Sequence, residues 1–492
     1  MFRLSPSDFF TYYRPSKCPG RVHLKEIGVE ETPPGPYEEV LRKLGEIHES
    51  RHLQAFDKYV DISTGTIDFR EHKTKQEIER KSPVIYQAVL RTKYDLGSVE
   101  CEIIGEPDFL IWEGEGYTIR DSKISRRITN EDHPEIFRQL ELYGWLYQQV
   151  FRQSTLRLEV YSGNNDIVPI PYDNGVVALN LLQELLRLKK SLTESYNPVG
   201  WSKCNGCQFN YRCWPLAEKT LDLAIIPSLD QGLAIALHEN GVKSIRDLIS
   251  RFNIKSLEEF KRPWGNKTQR VGKKAESILR MANSLAKREE ILIQTPSIPS
   301  HPNYVMFDLE GLPPHLDELE KIYLWGVQIF GKDKGEYIPA VAGFGEAGDK
   351  EGWESFLKNA KVILDQYPDI PFVHWHYYER VRIDMYVERY GDPTGIAANV
   401  RRNLLDLLPI CRDSIALPLP SYSLKVVEKY VGFKRTQDEY GGEWAMAKYI
   451  EATELENAEE RAKLMGEILK YNQEDLEATW HVLQWLKSKK RP

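Results

Sequence analysis

Asp108, Asp121 and Lys123 lie within GEPDFLIWEGEGYTIRDSK, and their types and spacing suit hydrolysis of a phosphodiester. That reaction needs a hard cation with oxygen ligands, Mg²⁺ or Mn²⁺. CEIIGEPDFLIWEGE and GYTIRDSKIS each read as strands joined by a tight turn at Glu115-Gly116, with Asp108 on the first and Asp121 and Lys123 on the second. Residues two apart on a strand face the same side. Two aspartates from neighbouring strands can hold one cation, and Lys123 can orient the attacking water and offset charge in the transition state. A surface hairpin with an Asp–Lys ion pair would use the same residues, so the pattern needs its context.

A second set of acids follows residue 300. YVMFDLEG places Asp308 and Glu310 on one face of a buried strand, which is costly unless they hold cations. ILKYNQEDLEATWHVLQWL places Tyr471 and Asp475 one helical turn apart on one face. Between the two sets, Cys204, Cys207 and Cys213 are spaced C-x2-C-x5-C in WSKCNGCQFNYRCWP, and Cys18 stands alone near the N-terminus. Four thiolates of this kind suit zinc or a [4Fe–4S] cluster. Cys101, in VECEIIGEPDFL, and Cys411, after LLDLLPI, read as small buried core residues on a strand and a helix.

The elements that must position these residues divide the 492-residue chain into three segments. Residues 1–218 run helix, strands, helix and cysteine cluster. Residues 219–294 are mostly short helices, and TPSIPSHP reads as a linker. Residues 303–492 alternate strand and helix before turning helical, which suggests an α/β sheet. No stretch approaches the roughly 18 apolar residues of a membrane span. The N-terminus lacks the apolar core of a secretory signal, so a cytoplasmic protein is expected. A formal net charge of −7 argues mildly against nucleic acid, yet KRPWGNKTQRVGKK carries six basic residues and no acid.

In context, the first site resembles the RecB-like branch of the PD-(D/E)xK nucleases. LRKLGEIHESRHLQAF supplies G-x-x-H with His48, then come G-x-x-D and D-x-K, then Q-x-x-x-Y at Gln139 and Tyr143. The resemblance implies that His48, Asp108 and Asp121 ligate metal, that Lys123 is catalytic, and that Gln139 and Tyr143 shape the site or touch DNA. HESRH also matches the zinc-protease pattern H-E-x-x-H, with Glu49 as base and Glu77 as a distant ligand. That reading leaves Asp108, Asp121 and Lys123 unexplained. The split of one plus three cysteines around this core resembles the iron–sulfur nucleases of the AddB and CRISPR-associated types. It implies a [4Fe–4S] staple held by Cys18, Cys204, Cys207 and Cys213.

V-G-x-x-x-A-x-x-I-L (Val271 to Leu279) resembles the second half of a helix-hairpin-helix DNA-binding motif, with a partner copy around Gly241. Gly272 would let backbone N–H groups approach a phosphate, and Arg270, Lys273 and Lys274 would add charge. D-x-E followed by Y-x-x-x-D resembles the tyrosine subtype of the DEDD 3′–5′ exonucleases of RNase H-like fold. This implies two metals on Asp308, Glu310 and Asp475, with Tyr471 positioning water. The family's middle acid is replaced by Glu379 in the strand PFVHWHYYER, with Asp384 and Asp406 as fallback ligands. SYSLKVVEKYVGF matches an S-L-K element expected to hold the strand end of the substrate.

The expectation is an α/β multidomain protein: a restriction-endonuclease-like core, a small helical middle domain and an RNase H-like C-terminal domain. Its expected reaction is metal-dependent hydrolysis of DNA, with RNA left open. A nucleic-acid-binding scaffold with inert sites is the rival of another class. No Walker A sequence is present, so an ATP-driven helicase, or a repair or defence protein, would be a separate partner.

Overall fold

The computed structural model describes residues 1–313, 319–437 and 441–490, apart from the side chain of Glu454. They form two compact units, Met1–Asn197 with Ser202–Tyr211, and Pro198–Trp201 with Arg212–Pro492.

In the first unit, helix α1 (Pro36–Gln54) precedes a six-stranded mixed sheet. Its strands run in chain order: β1 (Val60–Asp61), β2 (Val84–Tyr86), β3 (Phe109–Trp112), β4 (Tyr117–Ser122), β5 (Leu158–Tyr161) and β6 (Ile167–Ile170). β1–β2 and β4–β5 are parallel, and the remaining pairs are antiparallel. Helix α2 (Pro134–Phe151), with proline in its first turn, joins β4 to β5. Its Leu140, Tyr143, Leu146 and Tyr147 bury themselves in the core with Ile119, Leu158 and Val160 of the sheet. This crossover holds β4 at the centre, where both its faces are covered.

One strand expectation is corrected. CEIIGEPDFLIWEGE is two strands, not one: Glu100–Gly105 lies between Phe2–Leu4 and Leu90–Asp95 in a separate three-stranded sheet, while β3 starts at Phe109. Pro107 has no N–H to give to a ladder, so the chain changes sheets there. Asp108 therefore sits at the break rather than on a strand. Cys101 is buried on the first of these strands, as expected.

The second unit begins with helices. The part containing α3 (Gln231–Glu239), the helix Ile245–Arg251 and α4 (Ile254–Glu259) is helical, as read, with Gly241 in a left-handed turn (φ +78°). The basic segment is a β-ribbon instead: β7 (Lys261–Trp264) pairs antiparallel with β8 (Lys267–Arg270), and α5 (Lys274–Lys287) follows. The turn is made by Gly265 (φ +56°), and Val271 N–H returns to Phe260 O at 3.0 Å, closing the ribbon's base.

A five-stranded sheet then forms from β9 (Asn303–Leu312), β10 (Lys321–Gly331), β11 (Ile338–Val341), β12 (Phe372–His374) and β13 (Leu404–Asp406). Its order is β11-β10-β9-β12-β13, with β9, β12 and β13 mutually parallel and β10 and β11 antiparallel. Helices α6 (Gly345–Gln366) and α7 (Tyr378–Tyr390) enclose a core with Phe307, Trp325, Trp353 and Tyr386. The last helices are α8 (Leu424–Tyr430), α9 (Gly442–Glu454) and α10 (Ala458–Ser488). α10 lies on β9. Cys411 is buried on the helix Leu407–Ser414.

Candidate active sites

In the first unit Asp108 and Asp121 meet across the break before β3. Asp108 N–H donates to Asp121 Oδ1 at 3.0 Å, and Ser122 N–H donates to Asp108 Oδ2 at 2.8 Å. Lys123, one residue past the end of β4, puts its Nζ 2.9 Å from Asp121 Oδ2. The shared face expected from their spacing is therefore present. Burial pushes the Asp108 carboxyl well above the usual range, and the Asp121 charge adds to it. Burial works against charge on Lys123, but Asp121 and Asp108 outweigh it and raise its pKa.

Gln139 and Tyr143 are buried and bond each other at 2.8 Å; Tyr143 O–H then donates to the Glu106 carbonyl at 3.0 Å. They hold the chain two residues before Asp108, so their work is positional. Gly105 makes room, since a Cβ there would fall 2.6 Å from the Tyr143 ring.

His48 turns its Nε2 to the Tyr161 carbonyl, 3.3 Å away. The α1 side chain that joins the carboxylates is its neighbour Glu49. Glu49 Oε1 accepts from Tyr86 O–H at 2.8 Å and from Gln87 Nε2 at 2.7 Å, and Gln87 Nε2 is also 3.2 Å from Asp108 Oδ1. Gln87 has a left-handed backbone (φ +56°), a conformation that costs a non-glycine residue roughly 1–3 kcal/mol. It serves to aim this amide between two acids. The sequence singled out Glu49 only as the base of the zinc-protease pattern, and Gln87 not at all.

The zinc-protease reading finds no support in this geometry. His48 and His52 each stack on Tyr161, and His52 Nδ1 bonds Ser122 Oγ at 2.8 Å. Glu77 is spent on Ser82 Oγ and Arg80.

In the second unit Asp308, Glu310 and Asp475 offer oxygens within 4.8 Å of one another, the one such donor group among the described residues. β9 carries the first two on one face and α10 the third. Burial, then Asp475, pushes Glu310 up to about 8, and Asp308 rises well above its ordinary value from burial, Asp475 and Glu310. Three carboxylates crowded at this spacing are a hard-oxygen set that fits Mg²⁺ or Mn²⁺. Tyr471 is buried one turn before Asp475, its phenol raised well above the ordinary value chiefly by burial.

Further residues complete the site. Asn472 Nδ2 donates to Asp308 Oδ2 at 2.7 Å, and Tyr337 O–H donates to Asn472 Oδ1 at 2.8 Å. Gly326 on β10 leaves space for that amide, because a Cβ would lie 1.8 Å from Asn472 Oδ1. Arg435 grips Glu428 with bonds of 2.7 and 2.8 Å and also contacts Asp475, as does Lys425 of the S-L-K element. Lys425 Nζ lies 4.4 Å from the centre of the Tyr471 ring. Sequence had assigned the S-L-K segment to substrate; here its lysine answers a site carboxylate. Asn472 and Arg435 left no signal beyond their neighbourhood in the chain.

Two expectations for the middle acid change. Glu379 is not on a strand: β12 stops at His374, and Glu379 lies in the first turn of α7. His376, with φ +87°, turns the chain between them, and its N–H is taken by Asp406 Oδ1 at 2.9 Å. Glu379 is buried, 3.0 Å from His374 Nδ1. Of the fallback ligands, Asp406 caps the helix after β13 through Leu408 N–H at 3.0 Å, and Asp384 pairs with Arg401 at 2.7 Å.

In the helical part, Arg270 ends β8 and is exposed, Lys273 caps α5 and Lys274 begins it. Gly272 has a positive φ of +61°, and its N–H donates to Glu258 O at 3.1 Å. That group is committed within the protein rather than free for a phosphate. None of the six cysteines is in a disulfide.

Comparison with known families fits both sites. Residues 24–214 match the PD-(D/E)XK nuclease superfamily, and residues 305–487 match the RNase_H superfamily. The chain carries one domain of each. Two nuclease-superfamily domains thus account for the mixed α/β architecture, and they support a metal-dependent nuclease. No curated protein matches the chain. A solved structure described as "Crystal structure of SSO0001" is similar at 15% identity, over 35% of this chain and 96% of its own, with a TM-score of 0.20, too low to bear on the fold. No helix among the described residues is long and apolar enough to cross a membrane.

Proposed function

We propose that the chain hydrolyses phosphodiester bonds of DNA, on single strands or from ends, at both sites. The observation that carries this reading is the convergence of Asp308, Glu310 and Asp475 beside buried Tyr471. Mg²⁺ or Mn²⁺ held there supplies charge against the phosphate oxygens and acidifies water. Tyr471 keeps its proton at neutral pH and orients water through its hydroxyl. Asn472 fixes Asp308, and Glu379 lies on α7 at the edge of the set. In the first domain Asp108 and Asp121 are the proposed ligands, with Glu49 next to Asp108 where the resemblance put His48. Lys123 stays charged and stabilises the transition state. Arg270, Lys273 and Lys274 contribute sequence-independent phosphate contacts.

The cysteines are proposed to hold a structural [4Fe–4S] cluster. Supporting this, Ser16 Oγ donates to Lys203 O at 2.7 Å, which brings the flank of Cys18 to the flank of Cys204, and Cys207 N–H turns back to Cys204 O at 3.2 Å. A brown protein with broad visible absorption after anaerobic purification is expected; a colourless one with stoichiometric zinc overturns the assignment. A cytoplasmic setting and a separate helicase, repair or defence partner belong to the same proposal.

The test compares wild type, Asp121→Ala, Asp308→Ala and the double variant on end-labelled single-stranded DNA, duplex DNA and RNA with Mn²⁺ or Mg²⁺. Each single variant should lose part of the cleavage and the double variant all of it. Equal background cleavage by all four proteins overturns the enzyme reading in favour of a binding scaffold.

A further inference from the structure

The ribbon β7–β8 is a surface element with an unusual make-up. Its register pairs Lys261 with Arg270 and Trp264 with Lys267. Every ribbon residue is exposed except Arg262, and Trp264 at the tip keeps 59% of its surface in water. Arg262 is the anchor. Its guanidinium contacts Asp230 at the start of α3, donates to Gln269 Oε1 at 2.9 Å, and lies 4.8 Å from the centre of the Trp264 ring. It ties the ribbon to α3 on one side and supports the indole on the other.

An indole held on a buried cation but left open to water contributes little to folding, because no core covers it. Among the described residues no other ring packs on Trp264, and no ion pair is formed by Lys261, Lys267 or Arg270. A protein of net charge −7 therefore presents here three uncommitted cations around one open aromatic face. Cations alone would suit any polyanion. The open ring selects a polyanion with flat, unstacked groups, and base–aromatic stacking contributes about 1–3 kcal/mol per base. Duplex DNA hides its base faces, and an acidic peptide has none.

We propose that the β7–β8 ribbon binds single-stranded nucleic acid, with Trp264 stacked on a base and Lys261, Lys267 and Arg270 on the flanking phosphates. This deepens the nuclease reading by naming how substrate is gripped away from the carboxylates, yet it does not require cleavage.

The test is fluorescence anisotropy of a labelled 20-nucleotide oligothymidylate with the full-length Asp121→Ala/Asp308→Ala protein in EDTA. Trp264→Ala should weaken binding by about tenfold, and Trp264→Phe should recover most of it. Changing Lys261, Lys267 and Arg270 together to Gln should lower the salt dependence by about two, at roughly 0.7 per phosphate on a single strand. Circular dichroism should show all variants folded, since the changed side chains are exposed. Unchanged affinity in Trp264→Ala overturns the proposal. So does equal displacement of the oligonucleotide by polyglutamate at matched charge, which would make the ribbon a protein-docking surface. Loss of binding here with no cleavage by the wild type would leave the ribbon standing and the nuclease reading fallen.

Discussion

The two carboxylate sites solve the same electrostatic problem differently. At Asp108 and Asp121 the acids are met by short-range donors: two backbone N–H groups, the Gln87 amide and a lysine from the same strand end. At Asp308, Glu310 and Asp475 the acids crowd together, and cations from two other segments, Lys425 and Arg435, answer Asp475. In the first site charge balance is local and rests on the lysine proposed to act in catalysis. In the second it is built into the packing. Removing one cation from each should separate the two designs.

The largest effect is expected at Arg435, which is buried between Glu428 and Asp475. Arg435→Met leaves the buried Glu428 without its partner and Asp475 with Lys425 alone, a change that costs about 3–5 kcal/mol. Urea denaturation followed through the tryptophans of the second unit would measure it. If Arg435→Met costs no more stability than Lys123→Met, the contrast between the sites is wrong. Lys123→Ala should instead act on rate. In an Asp308→Ala background it is expected to lower kcat by about 10²–10³-fold, the loss typical of one transition-state donor. The check is single-turnover cleavage with melting temperature as a control; a large stability loss with normal kcat would move Lys123 to a structural role.

The next effect tests the wall of the first site. Burial lowers the His52 pKa from its ordinary 6.5 to about 3. Above pH 6.5 both folded and unfolded chains carry the neutral ring. As pH falls below that, only the unfolded chain takes the proton, so stability is lost progressively down to about pH 3. At pH 5 the loss should approach about 2 kcal/mol at 1.36 kcal/mol per unit. Hydrogen exchange in α1 and β4 at pH 8 and pH 5 would read it, taken as the difference between wild type and His52→Gln. An identical pH dependence in the two proteins removes His52 from the account.

What was legible in the sequence follows from the same contrast. Asp121 with Lys123, Asp308 with Glu310, and Tyr471 with Asp475 are local pairs on a strand or a helix, so their shared faces could be read from spacing. The five-stranded sheet of the second unit followed from alternating strands and helices. Glu49, Gln87, Asn472 and Arg435 act through contacts far along the chain or through an unusual backbone angle, and no periodicity encodes those. The same limit misplaced Asp108 and Glu379. A proline at 107 and a left-handed residue at 376 ended strands that hydrophobicity alone would have continued. The conformation of the basic segment was hidden for another reason: charge marked it as a contact surface, but only the Gly265 turn and the return of Val271 to Phe260 make it a ribbon.

The smallest effect sharpens the claim that the second site is set by packing. Among the described residues Tyr337 hydrogen-bonds no carboxylate; its hydrogen-bonded link to Asp308 runs through Asn472. Tyr337→Phe removes one hydroxyl and leaves Asn472 Oδ1 without its donor, a loss of about 1 kcal/mol. Freed at that end, the Asn472 amide can rotate, and Asp308 then loses the donor that fixes its Oδ2. Positioning of this kind should appear as weaker binding of Mn²⁺, with a several-fold rise in the metal concentration needed for half-maximal cleavage and little change in the rate at saturation. An Asp121→Ala background isolates the second site for that titration. A fall in the saturating rate with unchanged metal demand would mean that Tyr337 acts on the reacting groups themselves, and the separation of packing from chemistry at this site would not hold.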